Sequence, residues 1–498
     1  MLLFWCGELS VITLMDFEDM ETNLASENPV GGTMDSYEPW HPRLGALVAN
    51  AWEKDPNRNL HVVGTTSYTL AAGMVADSVP WDGARARLVV LPTDDDVARF
   101  VEALSFFTPI HPVYVLPHFD VSPYDNLYPN PRLTAQRIKW LAAAQEARPG
   151  QIFVASVMAL LQKTLPFEEL AHRTLRVGKG QCLEEGFYKK LSQLGYQNVS
   201  LVDEVGGYAL RGGILDIFSP FHNQPVRLEL FGDEVESLRL FNPETQRSES
   251  SEIDELVLLP PREIGYEEDQ LQEVIARYRA TLEGRDVESS EIEMVLHSLT
   301  QKQYFPGIEF LVGCFYPRAA FPLEHFCAEL SVITLDPLEV ARHHDLTWET
   351  MAADFVESTS SVIRPAVTDI YGKLDGLPWP EGTRRIDFSK IHLAEEWGAE
   401  DQQQANIIEY PAPDMAEFRK QTVALLNKPT EQIQYIRDKI SQLKNDGFSV
   451  FICTHSQSSA SRINLLLEKC ELEAEIFELT HLPWTSCQEA QQREQELV

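Results

Sequence analysis

The sequence predicts an α/β protein: a mainly parallel, doubly wound sheet, a small α+β domain with an antiparallel sheet inserted into it, and a further C-terminal α/β domain. Three observations predict this. Between residues 45 and 166 short apolar runs alternate with segments of helical spacing, the pattern of parallel strands joined by helices. Between 203 and 241 the period changes to two, punctuated by glycine-rich turns, as in antiparallel strands. At 498 residues the chain is also too long for a single core.

Taken in order, residues 1–44 are acidic and rich in turn formers, which predicts a flexible leader. The apolar start MLLFWCGELSVITLM carries Glu8, lacks a basic flank and has no small-residue cleavage site, so it does not read as a signal peptide. Its segment ELSVITL (8–14) recurs at 329–335, each copy with a cysteine two residues before it. One short match is not a repeat architecture. From 45 to 166, strands are expected at 60–63, 87–91, 113–116 and 152–155, with helices between them. The helix after the second strand shows Val97, Phe100, Val101, Leu104 and Phe107 at helical spacing. The inserted domain is placed at 167–257, with a helix at 184–194 and three strands: 211–218, 225–231 and 235–241. In the middle strand Val226, Leu228 and Leu230 point one way, and Arg227, Glu229 and Phe231 the other. The first domain continues at 258–350 with two helices and an apolar strand, 330–335, able to rejoin the first sheet. A linker is expected at 351–384, in a region that reads as mostly connecting from 336 to 380. A small α/β domain, expected to be truncated, follows at 385–498.

Composition narrows the function. A net charge of −35 repels a nucleic-acid backbone over most of the surface, so a protein partner is the better expectation than DNA. Seven scattered cysteines without a CxxC pair fit free thiols in a reducing cytoplasm. Cys453 and His455 have no second ligand pair at zinc spacing, so no metal is expected. No apolar run reaches membrane-spanning length.

Several segments could carry chemistry. Gly64, Thr65, Thr66 and Ser67 follow the first strand, where a phosphate-binding loop would sit. Such a loop needs a lysine for the β/γ-phosphates, and none is present; the plainer reading is a strand–turn–helix junction capped by Thr65 or Thr66. No nucleotide or other cofactor is therefore expected. Asp94, Asp95 and Asp96 could face a magnesium ion, but they read more simply as acidic residues complementing a helix N-terminus. His111, His118, His222, His343, His344 and His455 show no catalytic pairing, and adjacent His343 and His344 read as solvated. No GxSxG or HExxH element occurs. The face with Arg227, Glu229 and Phe231, and Arg211 near it, admits two readings: a solvated face with an incidental aromatic, or a docking surface with an aromatic anchor between charges.

The segments GGYALRGGILDIFSPF and PVRLELFGDEVESLRLF resemble the second domain of the bacterial transcription-repair coupling factors, the Mfd family, which is similar to the UvrA-binding domain of UvrB. RLVVLPTDDDVARFVEAL, LPHFDVSPYDNLYPNPRLTAQRIKWL and IFVASVMALLQ resemble the first UvrB-like domain, and LPPREI and PGIEFLVGCFYP its continuation. The resemblance covers about 45–335, and more weakly 385–480. It implies a UvrB-like fold on a degenerate P-loop NTPase-type sheet. It also implies a non-catalytic module that recruits UvrA; the alternative is a nucleotide-dependent DNA helicase or translocase fragment that binds DNA directly. Arg211 and Glu229 match the UvrB face that binds UvrA, and Arg227, Phe231 and Phe218 lie near them. Gln197 stands where some relatives have an arginine. The short segment between Phe119 and Arg132 does not match UvrB's long damage-gripping hairpin. RNA polymerase and DNA would be engaged through parts of the family's full-length proteins that this sequence does not match. In the family the C-terminal domain of the full-length protein masks the UvrA-binding face, so the face is expected to be open here.

Overall fold

The computed structural model describes residues 2–4, 10–14, 48, 59–65, 67–76, 85–107, 112–266, 270–283, 289–357, 365–389, 406–409, 416–445, 450–454, 457–469 and 471–472. Two compact units are formed. The smaller comprises Met1–Pro42, Ser105–Pro109 and Tyr410–Val498. In it the strand Val450–Thr454 (β18) lies between Leu2–Phe4 (β1), parallel to it, and Ser10–Leu14 (β2), antiparallel to it. Two strands thus fall inside the expected leader. The helix Pro429–Asn445 buries Ile436 and Ile440, one turn apart on one face.

The larger unit, Arg43–Leu104 and Ile110–Glu409, contains two substantial sheets. Its strands are Leu60–Val63 (β3), Ala86–Leu91 (β4), Val113–Leu116 (β5), Ile152–Ser156 (β6), Leu175–Gly178 (β7), Gln197–Asn198 (β8), Gly207–Arg211 (β9), Ile214–Ile217 (β10), Val226–Phe231 (β11), Glu234–Phe241 (β12), Ser248–Glu252 (β13), Glu255–Leu258 (β14), Leu330–Leu335 (β15), Arg384–Ser389 (β16) and Asn406–Glu409 (β17). The first sheet is fully parallel, in the order β17-β3-β16-β15-β4-β6-β5. Its central strands read as unbroken apolar runs because both faces are covered: every residue of β4 and β6 is buried. β15 does rejoin this sheet, beside β4. The two copies of SVITL are therefore both strands, in different sheets, as their β-branched content favours.

Two boundaries differ from the sequence reading. β16 and β17 pair into the first sheet, so the unit runs to Glu409 and the boundary expected at 385 falls inside it. The region taken as connecting holds a 21-residue helix, Pro337–Glu357.

The second sheet is six-stranded, in the order β13-β12-β11-β10-β9-β8, and antiparallel except for β8 beside β9. The run expected as one strand at 211–218 breaks into a hairpin at Gly212 and Gly213. Gly212 takes a φ of 62°, and a Cβ on Gly213 would lie 2.8 Å from the Leu230 carbonyl oxygen. One face of this sheet packs Tyr208, Leu215, Ile217, Val226, Leu228, Val235 and Leu238 against the helix Phe187–Leu194. Buried Arg173 ties this domain to the parallel sheet's domain, where Arg137 braces its partner Glu263. Arg173 donates to the Glu263 carbonyl oxygen at 2.9 Å and to the Tyr316 hydroxyl at 3.0 Å, and Arg137 Nε reaches Glu263 Oε1 at 2.6 Å. Gly265 makes room for this joint, because a Cβ there would sit 2.6 Å from the Arg173 guanidinium.

Candidate protein-docking face

The outer face of the small sheet is organised in cross-strand rows, because directly opposed residues share a face. One row runs Ala209, Asp216, Arg227, Arg239, Glu252 across β9 to β13. Arg227 forks onto Asp216, Nε to Oδ1 at 2.7 Å and a terminal nitrogen to Oδ2 at 2.9 Å. It also donates to the Gln246 carbonyl oxygen and the Ser248 hydroxyl, both at 3.2 Å, and lies 4.6 Å from the Phe241 ring centre. The hydrogen bonds to the Asp216 carboxylate, with its charge, raise Arg227 above the ordinary arginine range. Arg239 continues the row to Glu252 at 2.8 Å.

The next row, toward the β11–β12 turn, is Arg211, Ile214, Glu229 and Ser237. Arg211 is exposed and donates to the Ser200 carbonyl oxygen. Glu229 accepts from the Ser237 hydroxyl at 2.7 Å and faces Arg239 at 3.5 Å. Ile214 sits between them, 39% exposed. With strands spaced about 4.8 Å, Arg211 and Glu229 stand roughly 10 Å apart across it. A bulge between Glu229 and Leu230 follows, and Phe231 ends the strand at the turn, 75% exposed. The opposite end of the face is closed: Val202, Ala209, Phe218 and Phe241 form a small buried cluster. The face thus grades from packed, through ion-paired, to open.

The sequence-predicted residues divide accordingly. Arg211, Glu229 and Phe231 lie at the open end. Phe218 is only 9% exposed and Arg227 is held by Asp216, so both act within the sheet rather than as free contacts. Gln197 is exposed on the short strand β8, on the far side of β9. Ile214, Asp216 and Ser237 were missed. Once the Gly-Gly turn is placed, the alternation of GILDIF assigns Ile214 and Asp216 to this face.

Residues 174–264, which contain all of these positions, match the family model of the UvrB interaction domain. The chain is 32% identical over 326 residues to a transcription-repair-coupling factor of Myxococcus xanthus, covering 62% of this chain and 27% of that protein. It is 30% identical over 238 residues to that of Haemophilus influenzae, covering 47% of this chain and 20% of that one. For that of Escherichia coli K12 the identity is 27% over 256 residues, covering 51% and 22%. The chain is similar to the N-terminal portion of Mfd. The matches span about a quarter of those relatives' length.

The Mfd-like chain's other candidate sites are internally engaged. After β3 the backbone N–H groups of Gly64 and Thr65 both donate to the Ser389 carbonyl oxygen at 3.0 Å. The helix Tyr68–Ala76 is capped by Ser67, whose hydroxyl accepts from the Leu70 N–H at 3.2 Å, and not by Thr65, whose hydroxyl points to the Met74 sulfur at 3.9 Å. Thr66 lies outside the described residues. Asp94, Asp95 and Asp96 form the first turn of the helix Asp94–Phe107, and Thr93 caps it by accepting from the Asp96 N–H at 3.1 Å. No cluster of three metal-ligating side chains occurs among the described residues.

Of the histidines, His118 meets the Tyr371 hydroxyl at 2.8 Å, and burial lowers it to about 4. His222 accepts from the Val257 N–H at 3.3 Å and is likewise lowered to about 4 by burial. His344 corrects the solvated reading: it is buried and bonds Asp345 at 2.8 Å. His111 and His455 lie outside the described residues. Among the described residues, no helix is long and apolar enough to cross a membrane.

Proposed function

We propose that the chain is a non-catalytic recruitment module of transcription-coupled nucleotide-excision repair, working in the cytoplasm, whose small sheet domain binds UvrA. The observation that carries the reading is the open end of the outer face. It lies within residues 174–264, the segment similar to the UvrB interaction domain, and presents Arg211, Ile214, Glu229 and Phe231. The arrangement supplies an aromatic anchor at a turn, an apolar centre, and opposite charges about 10 Å apart to fix a partner's orientation. The paired row behind it, Asp216–Arg227 and Arg239–Glu252, keeps the strands from shifting under that load. Engagement of RNA polymerase and DNA is assigned to other parts of the larger relatives.

Titration of the chain against UvrA tests this. Arg211→Ala weakens binding tenfold or more, since a central interface arginine contributes about 2 kcal/mol. Its melting temperature stays that of the parent, because Arg211 is exposed and makes only a peripheral backbone contact. An unchanged affinity removes Arg211 from the interface; absence of UvrA binding by the parent chain removes the reading itself.

A further inference from the structure

In the open row of the small sheet, Arg211, Ile214, Glu229 and Ser237 stand side by side across β9 to β12. An apolar residue thus lies between opposite charges two strand spacings apart, roughly 10 Å. Long charged side chains in such a row can meet over the residue between them and cover it with their stems. Here they do not. Arg211 donates to the Ser200 carbonyl oxygen, in the chain leaving β8, on the side of β9 away from Ile214. Glu229 is drawn the other way, to β12, where its Oε2 accepts from the Ser237 hydroxyl at 2.7 Å and lies 3.5 Å from Arg239. Ile214 is left 39% exposed between them.

The two contacts of Glu229 are unequal. Arg239 is committed to Glu252 at 2.8 Å, and its 3.5 Å approach to Glu229 is longer than an ordinary hydrogen bond. Ser237 supplies the short, charge-assisted bond. Ser237 is only 5% exposed, so water competes little for its hydroxyl, and removing Glu229 would leave that hydroxyl buried without its acceptor. Both contacts fall on Oε2. Among the described residues Oε1 has no partner, and the Glu229 side chain is 47% exposed, so one oxygen is fixed within the sheet while the other is left for a donor on a partner.

We propose that Ser237 is the positioning residue of the docking face. Its hydroxyl holds Glu229 off Ile214, which keeps the apolar centre uncovered and the carboxylate at a fixed point. Being buried, Ser237 acts through Glu229 and not by touching the partner. The role in binding rests on the reading of this face as the UvrA-binding surface. Without the hydroxyl, Glu229 turns to Arg211, the cation of its own row, and the pair closes over Ile214. A partner must then break that pair before it can use either charge or the apolar centre, which lowers its apparent affinity.

The test has two arms, both on the full chain. In the first, the Ile214 δ1-methyl NMR signal of the free chain, assigned by Ile214→Val, is exposed to a neutral soluble gadolinium chelate. In Ser237→Ala, with an unchanged circular dichroism spectrum, the paramagnetic broadening of this methyl is expected to fall by about half, since an ion pair of modest strength covers it part of the time. Adding Arg211→Gln removes the closing partner and restores the broadening of the parent, an outcome that a general loosening of the sheet would not produce. In the second arm, Ser237→Ala weakens UvrA binding by roughly fivefold, the scale of one hydrogen bond, and has no further effect in a Glu229→Ala background. Unchanged methyl broadening in Ser237→Ala, broadening that stays low after Arg211→Gln, or an equal loss of affinity in the Glu229→Ala background overturns the proposal. Absence of UvrA binding by the parent removes the docking reading instead, and the methyl arm, made without UvrA, still decides whether Ser237 holds the face open.

Discussion

The loop after β3 and the open end of the small sheet are both places where polar groups gather at the end of a strand. They differ in what those groups already hold. At the loop, the Gly64 and Thr65 amides converge on the Ser389 carbonyl oxygen and the Ser67 hydroxyl closes the next helix, so these two amides, which could help wrap a phosphate, are engaged by the chain itself. On the sheet, engagement is graded. Asp216 and Arg227 satisfy one another; Arg211 is exposed and holds one backbone carbonyl, that of Ser200, while Ile214 and Phe231 are left to solvent. A residue pattern that suits binding therefore identifies a site only where the fold leaves its groups unspent on internal partners.

The largest test of this contrast is Arg227→Ala. Arg227 looked like a docking residue, but its partner Asp216 is nearly buried, with a side chain only 5% exposed. Removing the guanidinium strands that carboxylate inside the sheet. The expected loss is about 3 kcal/mol, the lower end for a broken buried pair because Arg227 itself is partly solvated. Chemical denaturation measures it. A variant as stable as the parent would return Arg227 to the open part of the face. Any loss of UvrA affinity in this variant should follow its loss of folded protein.

The strand faces were legible in the sequence because a period of two is local: Arg227 and Glu229 could be set opposite Val226 and Leu228 from one run of letters. Phe218's burial was not legible, because Val202 and Phe241, which enclose it, are brought in from other segments. The same reason hid the extent of the parallel sheet. β16 joins it through β15, across a long helix, and nothing near residue 384 announces that pairing. Gly212 and Gly213 were a readable turn signal, obscured by the apolar residues on either side. The resemblance pointed to the candidate face; the register separated its exposed residues from its buried ones.

The loop side is tested by pH. Asp387 lies in β16, opposite His61 of β3 at 3.4 Å and two residues before Ser389. Burial pushes its carboxyl from 3.8 up to about 6, against the opposing effects of Thr334 and Arg385. A carboxyl raised on folding holds its proton more tightly in the native state. Its contribution to stability is complete below about pH 4 and disappears as pH rises through 6. Asp387→Asn should remove that dependence. Stability of the parent relative to the variant then falls by on the order of 2 kcal/mol between pH 4 and pH 6. Parallel curves for the two proteins would show that the strand ends around the loop are open to water, and would weaken the case that the loop is sealed.

The smallest expected effect is the most discriminating. Ser67→Lys places an ammonium at the position where a phosphate loop would carry its lysine. If the missing lysine were the only defect, this change would confer nucleotide binding. The geometry predicts that it does not, because the Gly64 and Thr65 amides remain on Ser389 and no backbone donors are released. The variant instead loses the Ser67 cap, worth about 1 kcal/mol of stability. ATP binding and turnover, with and without DNA, should match the parent within error. Turnover gained by this variant, or turnover in the parent that changes at Thr65 or Ser67, would show that the loop can release its amides. The contrast between a closed loop and an open face would then give way to the alternative of a nucleotide-dependent enzyme.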